Sequence, residues 1–272
     1  MQKRLFYLTL IIIPLLFSAG ESRSRRKKRF DCSEKIAKSM QYYKKKRYNK
    51  VKTVLNEVKI QCSGHPSMDT ALYYLGRSFL GTRQSSEARM EFEVLIQDFP
   101  KSVFYEEANF LLGYCNYKES SIYERDQAET REAIREFTNF IESFPKSTWA
   151  DSARHYLKEC TEKLAKKEVM AARFYEKIDQ YDAAITYYRI IIDEFPKSDY
   201  NHECRLALAR NLIKTNRISE AVSTLEKLLS LETSEEMKGK AKALLDKINE
   251  ENKVQIPSAE KDSTSENTQQ SQ

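Results

Sequence analysis

The residues best suited to chemistry in this chain are its five cysteines, three histidines and a set of tyrosines and arginines set at helical spacing. The cysteines are Cys32, Cys62, Cys115, Cys160 and Cys204, and no two form a CxxC pair. The histidines, His65, His155 and His202, lack partners at the HxxxH or HExxH spacing that places two imidazoles on one metal. No nucleophile elbow, P-loop or dinucleotide fingerprint occurs. The expectation is therefore a protein that is not an enzyme, with no metal and no cofactor. Cys115, Cys160 and Cys204 read as small packing residues.

What positions these residues is a repeat. The phrase Phe-Pro-Lys-Ser stands at residues 99–102, 144–147 and 195–198, each time closing one run of alternating apolar and charged residues before another begins. Before Pro100, Ala88, Phe92 and Leu95 lie 12, 8 and 5 residues away, and Leu75-Gly76 and Phe79 lie 25, 24 and 21 away. That is the 34-residue tetratricopeptide (TPR) pattern. The first helix of the unit (helix A) carries Leu-Gly, and the second (helix B) carries Ala-x-x-x-Phe. Gly76 and Ala88 let the two helices approach closely, and Pro100 stops helix B. Ser102 is expected to cap the next helix.

The offsets recur before Pro145 with Ala133 and Phe137, and before Pro196 with Ala184 and Tyr188. In the third unit Gly113 lies 8 residues further from its proline than Gly76 does, which predicts a long turn between Glu119 and Glu129. In the fourth unit Ala172 takes the glycine's place, and the surplus before it predicts a separate linking helix over about Thr148 to Lys163. A fifth unit carries Ala209, Ala221 and Leu225; a degenerate first unit spans Cys32 to Cys62. The fold class is thus all-α, a TPR superhelical solenoid of about five helix-turn-helix units plus a capping helix over Ser234 to Asn249. Cys32 begins the first helix and Cys62 ends the second. In an antiparallel pair those ends are neighbours, so a disulfide between them is open in an oxidising compartment; two free thiols are the alternative.

On helix A, repeat positions 5, 9 and 12 form a stripe about a third of a turn from the packing face. It holds Ile36, Met40 and Tyr43 in the first unit, then Tyr73, Arg77 and Leu80, then Phe110, Tyr114 and Tyr117. In the fourth unit it holds Val169, Arg173 and Glu176, and in the fifth Leu206, Arg210 and Ile213. In TPR proteins this stripe lines the concave surface. Two readings of the aromatics stand: a groove for an extended apolar peptide, with Arg77 pairing a carboxylate, or packing between neighbouring helices.

The predicted segments are a signal peptide over 1–20, a basic linker over 21–31, the solenoid over 32–250 and a disordered tail over 251–272. Lys3 and Arg4 precede an apolar run from Leu5 to Ala19, and Ser18-Ala19-Gly20 supplies small residues for cleavage; an uncleaved anchor is the alternative. Six basic residues between Arg23 and Arg29 match the whole net charge of +6. From Phe30 onward 38 basic residues face 39 acidic ones, so the basic pI does not point to nucleic acid. The basic run reads as a solvated linker or as a tether to anionic lipid head groups or phosphorylated glycolipid.

The ordered combination of FPxS-type closures, the inserted turn and the linking helix resembles a known family. Its most specific stretch starts at Leu164-Ala165-Lys166-Lys167-Glu168 and continues through Ala172-Arg173-Phe174-Tyr175 and Tyr181-Asp182-Ala183-Ala184 to Phe195-Pro196. Arg125-Asp126-Gln127 and Arg131-Glu132-Ala133 are similar to the family's inserted turn. The family is BamD (also called YfiO or ComL), the outer-membrane protein assembly factors of Gram-negative bacteria.

The resemblance implies a periplasmic scaffold at the inner face of the outer membrane, where the basic run is open to contact with the inner leaflet. Its N-terminal units bind the C-terminal targeting signal of unfolded outer-membrane β-barrel proteins. Its C-terminal units dock a POTRA domain of a BamA-like barrel protein, beside other subunits of the assembly complex. Tyr43, Tyr73, Arg77, Phe110, Tyr114 and Tyr117 are the expected groove residues, and Lys177 and Arg189 the expected docking residues. One departure is that Glu21, not a cysteine, follows Ser18-Ala19-Gly20, so the family's usual lipid-bearing cysteine is absent from that place. The competing reading is a periplasmic TPR coordinator of cell-envelope and division machinery.

Overall fold

The computed structural model describes residues 30–255, with side chains to Glu251. The signal peptide, nearly all of the basic linker and the tail beyond Gln255 lie outside the described residues. The described part of the solenoid is a series of antiparallel helix pairs. They are α1 (Cys32–Lys44) with α2 (Tyr48–Gln61), α3 (Met68–Gly81) with α4 (Ser85–Asp98), and α5 (Tyr105–Glu119) with α6 (Ala128–Ser143). Then come α7 (Ala150–Lys177) with α8 (Tyr181–Glu194), α9 (Asn201–Lys214) with α10 (Ile218–Ser230), and the capping helix α11 (Glu235–Gln255). Each helix packs on its neighbours in sequence, so the array grows by nearest-neighbour contact.

The small residues do what their size allows. A Cβ on Gly76 would lie 2.7 Å from Phe92 Cε1, and one on Gly113 would lie 3.0 Å from the Phe137 ring. Phe92 and Phe137 are fully buried in the space that these glycines leave. The turn from helix A to helix B has its own signature. Lys46, Arg83, Asp179 and Asn216 each stand two residues before a helix B, and all have φ between 54° and 60°. Only glycine takes that left-handed conformation freely; other residues spend about 1–2 kcal/mol on it. Replacing Arg83 with glycine relieves that strain at some cost in unfolded-chain entropy. The expected net gain is about 0.5 kcal/mol, read as a higher urea midpoint at unchanged slope.

Two expectations fail. Ser102 is not the cap of α5, which starts at Tyr105 with Phe104 in the cap position. The serine instead accepts the Phe104 N–H at 3.1 Å, forming a tight turn one step earlier. Ser147 and Ser198 do the same for Trp149 (3.0 Å) and Tyr200 (3.2 Å). Nor is there a separate linking helix over Thr148 to Lys163. α7 runs unbroken for 28 residues into the fourth unit's helix A, because no glycine or proline interrupts it. The capping helix also continues to Gln255, past the expected boundary at residue 250.

Candidate peptide-binding surface

The repeat register sets the aromatic stripe on helix A of each unit, and the inserted α7 segment adds a further wall. Tyr43 (α1), Arg77 (α3), Phe110 and Tyr114 (α5) meet around one hollow of about 380 Å³. Trp149, at the cap before α7, and Tyr156 of α7 complete it. The rings are in mutual contact: Phe110 stacks on Trp149 at 4.9 Å between centroids, and Tyr114 lies 5.2 Å from Tyr156. Burial divides the stripe residues into two groups. Phe110 is 4 % exposed, and a single edge of it reaches the hollow while its body packs on Phe137 and Phe140. Tyr73 is 8 % exposed and stacks on Phe104 at 4.1 Å; it belongs to the wall behind the hollow. Tyr43 and Tyr114 remain half-exposed and face the space.

Arg77 already has a carboxylate partner. It ion-pairs with Glu107 of α5 and donates to the Tyr73 hydroxyl at 3.0 Å. Burial raises the Tyr73 phenol pKa well above the ordinary tyrosine value. Arg77 therefore serves first as a brace between α3 and α5. A docking carboxylate would have to share it with Glu107. Tyr117 turns to a neighbouring hollow lined by His155, Glu159 and Lys163, where its hydroxyl donates to Glu159 at 2.6 Å.

Further along the array the stripe becomes charged. Arg173, Glu176, Leu206 and Arg210, all from the predicted stripe, line a hollow of about 550 Å³ with His202 and Lys240. Glu176 accepts from the Tyr188 hydroxyl at 2.8 Å and from the Asn211 amide at 3.2 Å, while Arg173 pairs with Glu203 at 2.8 Å. The two expected docking residues stand apart in character. Lys177 is exposed near the end of α7, and Arg189 of α8 is paired with Glu220.

The remaining cysteines are not poised for reaction. Cys115, Cys160 and Cys204 are buried, and loss of solvent pushes their thiol pKa values up to about 12, 11 and 12. Cys32 and Cys62 lie in disulfide geometry, with Cα atoms 6.0 Å apart. His65 tightens the same corner, contacting the Ser33 hydroxyl at 3.2 Å and accepting the Ser67 N–H at 3.1 Å. Among the described residues no cluster of His, Cys, Asp and Glu could hold a metal ion.

Sequence reasoning missed Trp149 and Tyr156, because the surplus segment had no place in the repeat register. A signal was present for the first: an aromatic follows each Phe-Pro-Lys-Ser by two residues, at Phe104, Trp149 and Tyr200. Phe104 and Trp149 are the rings that stack on the stripe aromatics Tyr73 and Phe110.

Among solved structures, the chain is similar to TTC0263, a thermophilic TPR protein in Thermus thermophilus, at 16% identity over 79% of this chain and 99% of that one (TM-score 0.35). It is also similar to a tetratricopeptide repeat protein from Parabacteroides merdae, at 15% identity over 87% and 94% (TM-score 0.37). No curated protein matches it. Among the described residues no helix is long and apolar enough to cross a membrane. The model of the YfiO family, described as outer membrane lipoproteins, matches residues 32–228, the whole run of five units, and the chain belongs to that family.

Proposed function

We propose that this protein is a non-enzymatic scaffold and substrate receptor of the outer-membrane β-barrel assembly machinery. Family membership supports an envelope protein built on TPR units, a fold that ordinarily binds other proteins. The observation that carries the finer reading is the aromatic hollow bounded by Tyr43, Tyr114, Trp149 and Tyr156. An extended segment with alternating apolar side chains and a terminal aromatic can place a ring among them. Such a segment is how an unfolded barrel protein ends. The charged fourth unit, with Lys177 and Arg189, is proposed to dock a POTRA domain of a BamA-like partner, at the periplasmic side of the outer membrane.

The chain's only tryptophan, Trp149, sits in this hollow and reports on it directly. Titrating a synthetic peptide of alternating apolar residues ending in phenylalanine should change Trp149 emission and saturate. Tyr114→Ala should weaken binding about tenfold, since an aromatic contact of this kind is worth about 1–1.5 kcal/mol, while leaving the melting temperature nearly unchanged. Unaltered affinity in that variant would remove the hollow from the reading.

A further inference from the structure

In a regular array, one flank of each helix A is covered by helix B of the unit before it. The place two residues after the small residue of helix A shows this. It holds Ser78 in α3, Cys115 in α5 and Asn211 in α9, all at most 1 % exposed. α2 covers α3, α4 covers α5 and α8 covers α9. The covering is close: a Cβ on Gly81 would lie 2.6 Å from Tyr48 of α2, and Lys214 donates to Tyr181 of α8 at 3.0 Å.

α7 departs from this rule because it is two helices long. Its first half takes the contact with α6, where Tyr156 meets Phe137 at 5.8 Å. Its middle is covered by the inserted turn: Lys163 donates to Ser120, Lys166 lies over the Tyr123 ring and Lys167 donates to the Arg125 carbonyl. Among the described residues no further helix B covers the second half. There the place of Ser78, Cys115 and Asn211 belongs to Phe174, which is 58 % exposed. Met170 four residues before it and Ile178 four after it are 41 % and 46 % exposed. At about 100° per residue these three side chains share one narrow stripe.

The first unit shows what an uncovered flank otherwise looks like. Among the described residues no unit precedes it, and its three equivalent residues, Ala37, Gln41 and Lys45, are exposed and carry no large apolar group. Water selects that composition. On α7 the same flank is apolar, and from Lys163 to Lys177 the charged residues that share its arc are lysines, Lys163, Lys166, Lys167 and Lys177, with no carboxylate of that stretch within about 80°; Glu159, which also falls in the arc, lies 15 residues before Phe174 and accepts from Tyr117.

We propose that the stripe Met170–Phe174–Ile178 receives an amphipathic α-helix from another protein, with an apolar edge and flanking Asp or Glu, in the position a missing helix B would occupy. The register of the array sets the occupant as a helix, and the lysines set its charge. The inference rests on the general reading of the chain as a scaffold, but on neither the aromatic hollow nor the POTRA partner.

The probe is a labelled model helix with leucine along one face and glutamate beside it, compared with its lysine-flanked counterpart, each titrated against the full chain by fluorescence anisotropy. The acidic helix should bind saturably, with at least tenfold lower affinity for Phe174→Glu and for the lysine-flanked helix. Tyr114→Ala should bind it unchanged, and Trp149 emission should stay still, which separates this surface from the hollow. No binding, equal binding of both peptides, or binding indifferent to Phe174→Glu in a variant that melts like the parent overturns the proposal. So would self-association in sedimentation, or binding to phosphatidylglycerol vesicles, that Phe174→Glu abolishes: the first makes the occupant a second copy, the second a lipid surface.

Discussion

Phe110→Ala is expected to destabilise the protein by about 3–5 kcal/mol, the usual cost of emptying a large aromatic site in a packed core. Although the stripe register groups Phe110 with the groove residues, its ring packs against Phe137, Phe140, Trp149 and Tyr156, helices α5, α6 and α7 at once. The void would open where three helices converge, with little freedom to collapse. Chemical denaturation should show a much lower midpoint, and peptide affinity measured well below that midpoint should fall as well, because Trp149 loses the ring on which it stacks. The contrast with Tyr114→Ala is the useful part. Both residues line one hollow, yet one variant should lose stability and the other only affinity. Equal stability losses in the two would mean that the division between wall and contact surface is wrong.

Cys32→Ser is expected to cost about 3–4 kcal/mol, from the loop of roughly 30 residues that the Cys32–Cys62 bond would close in the unfolded chain. The effect should be local. Among the described residues α1 and α2 pack on a neighbour on one side only, α3, so their loss need not carry the remaining units with them. Hydrogen exchange should therefore show faster opening of residues 32–62 in the serine variant, with α8 to α10 unchanged. Adding reductant to the parent should reproduce the same pattern, and non-reducing peptide mapping of the parent should recover Cys32 linked to Cys62. Two free thiols in protein taken from an oxidising compartment would refute this expectation.

Much of the architecture was legible because TPR units repeat both their small and their large residues. Gly76 with Phe92 and Gly113 with Phe137 each announce a helix pair, and their offsets from proline locate the pair in the chain. Continuity of α7 was less legible. The register assigns Ala172 to a new unit, and that suggested a new helix, whereas the backbone responds only to local breakers and finds none between residues 150 and 177. Ser102 misled for a related reason. A serine before a helix reads as its cap, but the residue Val103 and the ring of Phe104 intervene, and the hydroxyl satisfies the nearer N–H. The candidate surface was half legible. The stripe positions of α1, α3 and α5 supply Tyr43, Arg77, Phe110 and Tyr114 to the hollow, while Tyr156 comes from a segment with no repeat coordinate. Which aromatics are buried depends on neighbouring helices, and a helical wheel for one helix does not contain them. Phe174 is the clearest case, since among the described residues no helix B covers it.

The length of α7 fixes distance as well as order. At about 1.5 Å per residue, 28 residues make a rod of about 42 Å. One end carries Trp149 and Tyr156 and the other ends at Lys177, with no loop between them to act as a hinge. Molecules held at the two ends are therefore kept at a set separation and rotational phase, as marks on a ruler are. A client seated at one end would be presented to a partner at the other in one orientation, with no search over the angles that a jointed connector would permit.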